Sequence, residues 1–295
     1  MTWKRVLTAL VLMPAVVALV LFTPTWAVAA ATAVVTVLAL WEYFALGASI
    51  GHRAYRAWTI FCAVAFVMAQ FFQLLAPGFG EERIILGFQI LNSDFTPFNT
   101  VHLTILNILF IFVLGLTVLT LFTRRPLVEA LSSAGISSSA LLLVAFPLSF
   151  AVQLHKYPIS GPRILLFALV VTWAADTAAY FVGRAVGKHP LAPHISPKKT
   201  WEGSVGSMAG SLIVAWAFSY WIRIPIGHLV AMAVIGNVAG QMGDLLESAY
   251  KRSAGVKDSG GLLPGHGGVL DRIDALILCI PVIWYYLVLV NPGMR

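Results

Sequence analysis

Residues 102–122 read HLTILNILFIFVLGLTVLTLF, a run of 21 residues without a single Asp, Glu, Lys or Arg. A helix of that length, at about 1.5 Å per residue, spans about 30 Å, the thickness of a bilayer's hydrocarbon core. Eight further apolar stretches of similar length flank it, roughly 6–22, 26–46, 57–76, 136–153, 163–183, 205–222, 226–243 and 274–290. The sequence therefore predicts an all-α, polytopic integral membrane protein of about nine transmembrane helices. Composition agrees: 59% of residues are hydrophobic and 11% are charged. Soluble domains carry about twice that share of charge.

The charges that remain are sorted by side. With nine spans, the N-terminus and the loops near 47–56, 123–135, 184–204 and 244–273 fall together. They hold Lys4, Arg5, Arg53, Arg56, Arg124, Arg125, Arg184, Lys188, Lys198, Lys199, Lys251, Arg252, Lys257 and Arg272, fourteen of the nineteen Lys and Arg residues. The other side has only Arg83, Lys156, Arg163, Arg223 and Arg295. By the positive-inside rule the rich side, and with it the N-terminus, is cytoplasmic. A bacterial inner membrane is the expected home. The net charge of +7 is explained by this topology. The basic residues form no single stripe, so nucleic acid is not an expected partner. Lys4-Arg5 ahead of an apolar run, with Ala27-Val28-Ala29 behind it, also resembles a cleaved signal. Eight spans follow at once, so a retained first helix is the expectation. Cys62 and Cys279 sit inside apolar runs and read as packing residues.

Two regions differ in character. Residues 1–160 are apolar spans joined by short loops, expected to be a lipid-facing scaffold. Trp41-Glu42-Tyr43, near the end of the second span, reads there as an interfacial aromatic belt with a snorkelling carboxylate. The Ser/Gly-rich segment 132–139 reads as a loop entering the fifth span. Residues 161–295 carry the chemistry, together with the two longest loops of the basic side.

Asp244 closes the eighth apolar run, and a carboxylate at a membrane boundary needs a partner, hydration or a cation. Ser248 and Lys251 follow on its helical face. The next loop, Lys257-Asp258-Ser259-Gly260-Gly261-Leu262-Leu263-Pro264-Gly265-His266-Gly267-Gly268, has five glycines that permit close backbone approach to a phosphate. It lacks the Walker spacing. Asp271-Arg272-Ile273-Asp274 then opens the ninth span. If the loop folds back, Asp271 and Asp244 can converge, and paired carboxylates near anionic ligands suit Mg²⁺. Asp271 as a helix cap is the plainer alternative. Asp176 lies inside the sixth span, with Tyr180 and Arg184 on its face. Ser196-Pro197-Lys198-Lys199-Thr200-Trp201-Glu202-Gly203 offers two lysines that serve either as phosphate ligands or as membrane anchors. His266 could act as an acid, a base or a phosphate donor. A site of this kind suits phosphoryl or nucleotidyl transfer to a membrane lipid.

The stretch from Ser248 to Asp274 resembles the C-terminal motif of phosphatidate cytidylyltransferases, S-x-x-K-R-x(4)-K-D-x(5)-P-G-H-G-G-x-x-D-R-x-D, at every fixed position. S-P-K-K-T-W-E-G at 196–203 and D-x-x-A-Y-x-x-G-R at 176–184 resemble the family as well. The resemblance is strong over about 170–275 and implies transfer of a cytidylyl group from CTP to phosphatidic acid in the bilayer. It makes Asp244 and Asp271 the implied Mg²⁺ ligands and allows a second, monovalent cation and a homodimer. Asp244, Asp271, Lys251 and His266 are the implied catalytic residues. Asp176, Lys198, Lys199, Ser248, Arg252, Lys257, Asp258, Gly267, Gly268 and Arg272 are the implied substrate contacts. The alternatives are a CTP-dependent lipid-alcohol kinase, which would move the γ-phosphate, and a transporter, whose carboxylates would sit near the midplane in inverted halves.

Overall fold

The structure is a computed structural model that describes residues 2–72, 105–123, 125–262 and 267–290, with side chains from residue 10 onward. His266, Arg83, Arg124 and Arg295 lie outside the described residues.

Among the described residues each of the nine apolar stretches overlaps a helical segment. These are α1 (Thr2–Phe22), α2 (Thr25–Ser49), α3 (Arg56–Phe72), α4 (Ile105–Phe122), a continuous segment Leu127–His155, α7 (Gly161–Val186), α8 (Trp201–Ser219), α9 (Ile226–Ser253) and α10 (Leu270–Val290). Six of the nine are long and apolar enough to cross a membrane: α2, α4, Leu127–His155, α7, α9 and α10. The apolar parts of α1 (Leu10–Phe22) and α3 are shorter. The segment 127–155 comprises a 3₁₀ turn, α5 (Ala130–Ala140), a π-turn (Leu141–Ala145) and α6 (Phe146–His155). The π-turn sits just ahead of Pro147, which has no N–H to continue the ladder and would crowd the preceding turn.

One expectation is corrected. Residues 132–139 are helical, not a loop. Their serines bond back along the helix, Ser132 to the Glu129 carbonyl (3.1 Å) and Ser137 to that of Ser133 (2.8 Å), while the Ser137 hydroxyl also receives the Tyr55 N–H (2.8 Å). Polar hydroxyls that find carbonyls in this way do not break a buried helix. The all-α reading fits, with one small hairpin added. β1 (Pro190–Ala192) and β2 (Ser196–Thr200) form an antiparallel hairpin between α7 and α8, with Pro190 opposite Thr200 and Ala192 opposite Ser196.

α8 does not meet the apolarity of a spanning helix, and its packing shows why. Gly206 lies against Val182 and Gly210 against Ala174 and Ala178 of α7, contacts so close that a Cβ at Gly206 would come within 2.6 Å of Val182. Its serines face α9 instead. Asn237 donates to Ser207 (2.7 Å) and Ser211 (2.8 Å), Gln241 donates to Asn237 (2.6 Å), and Ser204 donates to Gln241 (2.6 Å). Small residues bring helices close, and a satisfied polar seam fixes their register. α4 is the opposite case. Only Ile108 and Phe112 are buried, whereas Leu106, Phe110, Val113, Leu121 and Phe122 face outward, as suits a lipid-facing helix.

Hydrogen bonds tie the basic loops together at one end of the bundle. Ser49 after α2 reaches the Ala254 carbonyl after α9 (3.4 Å), Arg125 reaches the Arg53 carbonyl (2.9 Å), and Arg252 reaches Ile195 at the hairpin turn (3.3 Å). At the far end Arg163 binds the Trp221 carbonyl (2.9 Å) and Lys156 binds that of Phe71.

Candidate active site at one end of the bundle

The site begins where α9 stops. Gly255 takes φ +69°, its N–H bonds the Arg252 carbonyl (3.1 Å), and the Val256 N–H bonds that of Lys251 (2.9 Å). This Schellman arrangement turns the chain back across the end of α9. The following loop then closes on two carboxylates. Asp271 Oδ2 accepts the N–H groups of Gly268 (2.8 Å) and Ser259 (3.0 Å), and its Oδ1 accepts from Lys251 Nζ (2.6 Å). Lys251, itself buried, is also paired with Glu247 one turn earlier on α9.

The second carboxylate is Glu42, which comes from α2. It is 3% exposed, so it does not snorkel. Its Oε1 accepts the Val269 N–H (3.0 Å), and its Oε2 accepts the Leu270 N–H (2.8 Å) and the Ser259 hydroxyl (3.1 Å). The first N–H groups of a helix have no partner within it, so Glu42 serves α10 as an N-cap supplied from another helix. The neighbouring aromatics diverge. Trp41 is exposed with Arg56 over its ring, as a belt residue should be, while Tyr43 turns inward to donate to Ser139 (2.9 Å). Successive side chains on a helix point about 100° apart, and here that angle separates lipid from loop.

Gly260, Gly267 and Gly268 are explained by these carboxylates. A Cβ at Gly268 would stand 2.3 Å from both Glu42 Oε2 and Ser259 Oγ, and one at Gly267, where φ is +79°, 2.7 Å from Asp271 Oδ2. The close approach anticipated for a phosphate is made here to protein oxygens. The Gly268 amide is already donated to Asp271, so its N–H is not left over for a ligand.

Beside this loop lies a second charged group. Asp244 on α9 pairs with Lys199 of β2. Asp176 lies within electrostatic reach of Asp244, Lys199 and Arg272, and Asp274 within reach of Asp244, Glu247 and Asp176. The sequence-predicted residues are therefore gathered from α7, the hairpin, α9 and α10, with Asp244 and Asp271 each held by its own lysine. Lys198, Lys257 and Asp258 are exposed beside them, Ser248 is buried on α9, and Arg252 is occupied with Ile195 and Val256. Arg184 binds the Tyr180 hydroxyl (2.8 Å). The hairpin is fastened to α8 by Glu202, which accepts from the His189 ring (2.6 Å) and backbone (3.3 Å). Its own backbone N–H and the His189 ring hold that carboxyl down to about 2.

Sequence reasoning missed Glu42 and Glu247. For Glu42 a signal existed: it is an acidic residue within an apolar span, the same property that singles out Asp176.

The donor set suits a divalent cation. Asp176, Asp244, Glu247, Asp271 and Asp274 face Lys199, Lys251 and Arg272, an excess of two negative charges when all are ionised. Asp271 Oδ1 accepts from Lys251 (2.6 Å), and a carboxylate oxygen can take more than one such contact. Among the described residues no three His, Cys, Asp or Glu side chains form a ready-made ligand shell. That is consistent with Mg²⁺, which binds through one or two carboxylates and completes its octahedron with phosphate oxygens and water.

Fold and site together define a multi-pass membrane protein with a carboxylate- and lysine-lined site at the end of its bundle. The match to known proteins is more specific. The cytidylyltransferase family model covers residues 3–290. The phosphatidate cytidylyltransferase of Haemophilus influenzae is 33% identical over 308 aligned residues, which take in 96% of this chain and 97% of the relative. That of Bacillus subtilis is 37% identical over 177 residues, 58% of this chain and 66% of the relative. That of Staphylococcus saprophyticus is 45% identical over 134 residues, 45% and 52% respectively. The chain belongs to the cytidylyltransferase family and is, by that membership, a nucleotidyltransferase.

Proposed function

We propose that this chain transfers the cytidylyl group of CTP to phosphatidic acid, releasing pyrophosphate and leaving CDP-diacylglycerol in the bilayer. The observation that carries the reading is the set of bonds by which Ser259, Gly268 and Lys251 hold Asp271. It lies beside the Asp244–Lys199 pair, in a family whose similar members carry that activity by name. A phosphate oxygen of phosphatidic acid attacks the α-phosphorus of CTP in line. The bond from the α-phosphorus to the bridging oxygen breaks, and pyrophosphate leaves with its electron pair. The attacking oxygen is already anionic at neutral pH, so the site has to orient and neutralise, not abstract a proton. The exposed Lys198, Lys257 and Arg272 meet the phosphates, and Arg252 holds the hairpin that carries Lys198 and Lys199. Lys251 keeps Asp271 ionised and aimed. Asp244 and Asp271 would hold Mg²⁺, which when bound would neutralise charge on the triphosphate.

We place nine spans in a bacterial inner membrane, with the N-terminus and the site on the cytoplasmic side, where the basic residues gather and CTP is available. The family resemblance adds a homodimer. A monovalent cation would sit beside Mg²⁺ within the same excess of carboxylates. Purified protein in detergent should release pyrophosphate only when CTP and phosphatidic acid are both supplied. Release without the lipid would defeat the assignment.

A further inference from the structure

A second site is built on the other side of α2 from the loop, between α3 and α4. The two helices meet where Trp58 of α3 packs on Gly115 of α4. A crevice of about 940 Å³ opens there, lined by Ala57 and Trp58 of α3 and by Gly115, Val118 and Leu119 of α4. Its floor is Trp58, laid flat on Gly115 with its ring N–H bonded to the Phe112 carbonyl (3.1 Å). Arg53, Arg56 and Arg125 also line it. Among the described residues none of the three has a carboxylate within ion-pair distance; Arg56 lies over Trp41 and Arg125 over Tyr55. Tyr55 lines the crevice too. It is 6% exposed, and its hydroxyl has no hydrogen-bond partner among the described residues.

We propose that this crevice holds an anionic phospholipid, its phosphate on Arg53 and Arg56, one acyl chain lying along Trp58, Val118 and Leu119. Charge complementarity selects the headgroup. Guanidinium groups match phosphate in geometry as well as charge, and the start of α3 adds the positive end of a helix dipole. The apolar wall selects a lipid over free phosphate. None of the carboxylates or lysines of the reaction site lines the crevice, so the bound lipid is a resident one and not the reacting substrate.

Native mass spectrometry of the full chain in a non-ionic detergent tests this, with phosphatidylglycerol, phosphatidylcholine or inorganic phosphate added. The expected result is a retained phosphatidylglycerol that phosphatidylcholine does not replace and that millimolar phosphate does not displace. In R53Q/R56Q it should bind about 30-fold more weakly, from about a fivefold loss for each basic residue removed. Leu119→Trp, which fills the crevice and keeps both arginines, should also lose the lipid, and it serves as the test if the double variant does not fold. Unchanged retention in both variants would overturn the proposal. So would displacement by phosphate alone, or equal retention of phosphatidylcholine.

Discussion

Replacing Glu42 by alanine distinguishes a catalytic loop held shut from α2 from a protein in which residues 1–160 are only scaffold. The substitution removes one buried acceptor group that takes three hydrogen bonds, from Val269 N–H, Leu270 N–H and Ser259 Oγ–H. A buried donor left without its acceptor costs about 1–3 kcal/mol, so three give about 3–6 kcal/mol once partial hydration is allowed for. The cost falls on the closed state of the loop and not evenly on the bundle, because all three donors belong to residues 259–270. A penalty of about 2.7 kcal/mol on that state already lowers its share, and hence the rate, about 100-fold. We expect kcat/KM for CTP in Glu42→Ala to fall at least that far. Glu42→Gln, which keeps one carbonyl oxygen, should lie between it and the wild type. The assay is pyrophosphate release with phosphatidic acid in detergent, with circular dichroism and thermal melting to show that the helices persist. A folded Glu42→Ala protein with kcat/KM within about twofold of wild type would refute the reasoning.

Other outcomes follow from the same geometry. Gly268→Ala places a Cβ 2.3 Å from Glu42 Oε2 and should cost about 1–3 kcal/mol in loop closure. Its effect on rate should be less than additive with Glu42→Ala in a double-mutant cycle, because the collision partner is gone. Asp271→Asn breaks the charge-assisted bond to Lys251 and weakens the hold on two backbone amides, so turnover should drop about 100-fold or more; near-normal turnover would remove Asp271 from the chemistry. Asn237→Ala strips both donors from the α8–α9 seam and should lower stability by about 1–2 kcal/mol, read from a thermal or denaturant melt, with little change in KM. Chelation with EDTA should abolish turnover, and Mg²⁺ should restore it; full activity in EDTA would exclude the proposed metal.

What the sequence makes legible is set by how local the signal is. Uninterrupted apolar length is local, and each stretch chosen on it overlaps a helix among the described residues, six of them long and apolar enough to cross a membrane. The carboxylates and lysines of 176–274 announce themselves because charge inside or beside an apolar run demands a reason. The same argument applied to Glu42 finds it only if the aromatic-belt pattern around it is resisted, since its partners lie 217 to 228 residues away. The helix at 130–140 is hidden because serine reads as a turn former until its hydroxyl finds a carbonyl one turn back. The glycines of the loop are visible as a need for closeness. What Gly260, Gly267 and Gly268 approach, Glu42 and Asp271, depends on tertiary contacts that no window of the sequence contains.

The central claim is that the α-phosphorus of CTP ends on the lipid. Purified protein given phosphatidic acid, Mg²⁺ and CTP labelled at either the α- or the γ-phosphate decides it after organic extraction. The predicted result is α-label in the lipid phase, dependent on both substrates, with γ-label left in the aqueous phase as pyrophosphate. Label entering the lipid from the γ-position instead would show a kinase and contradict it.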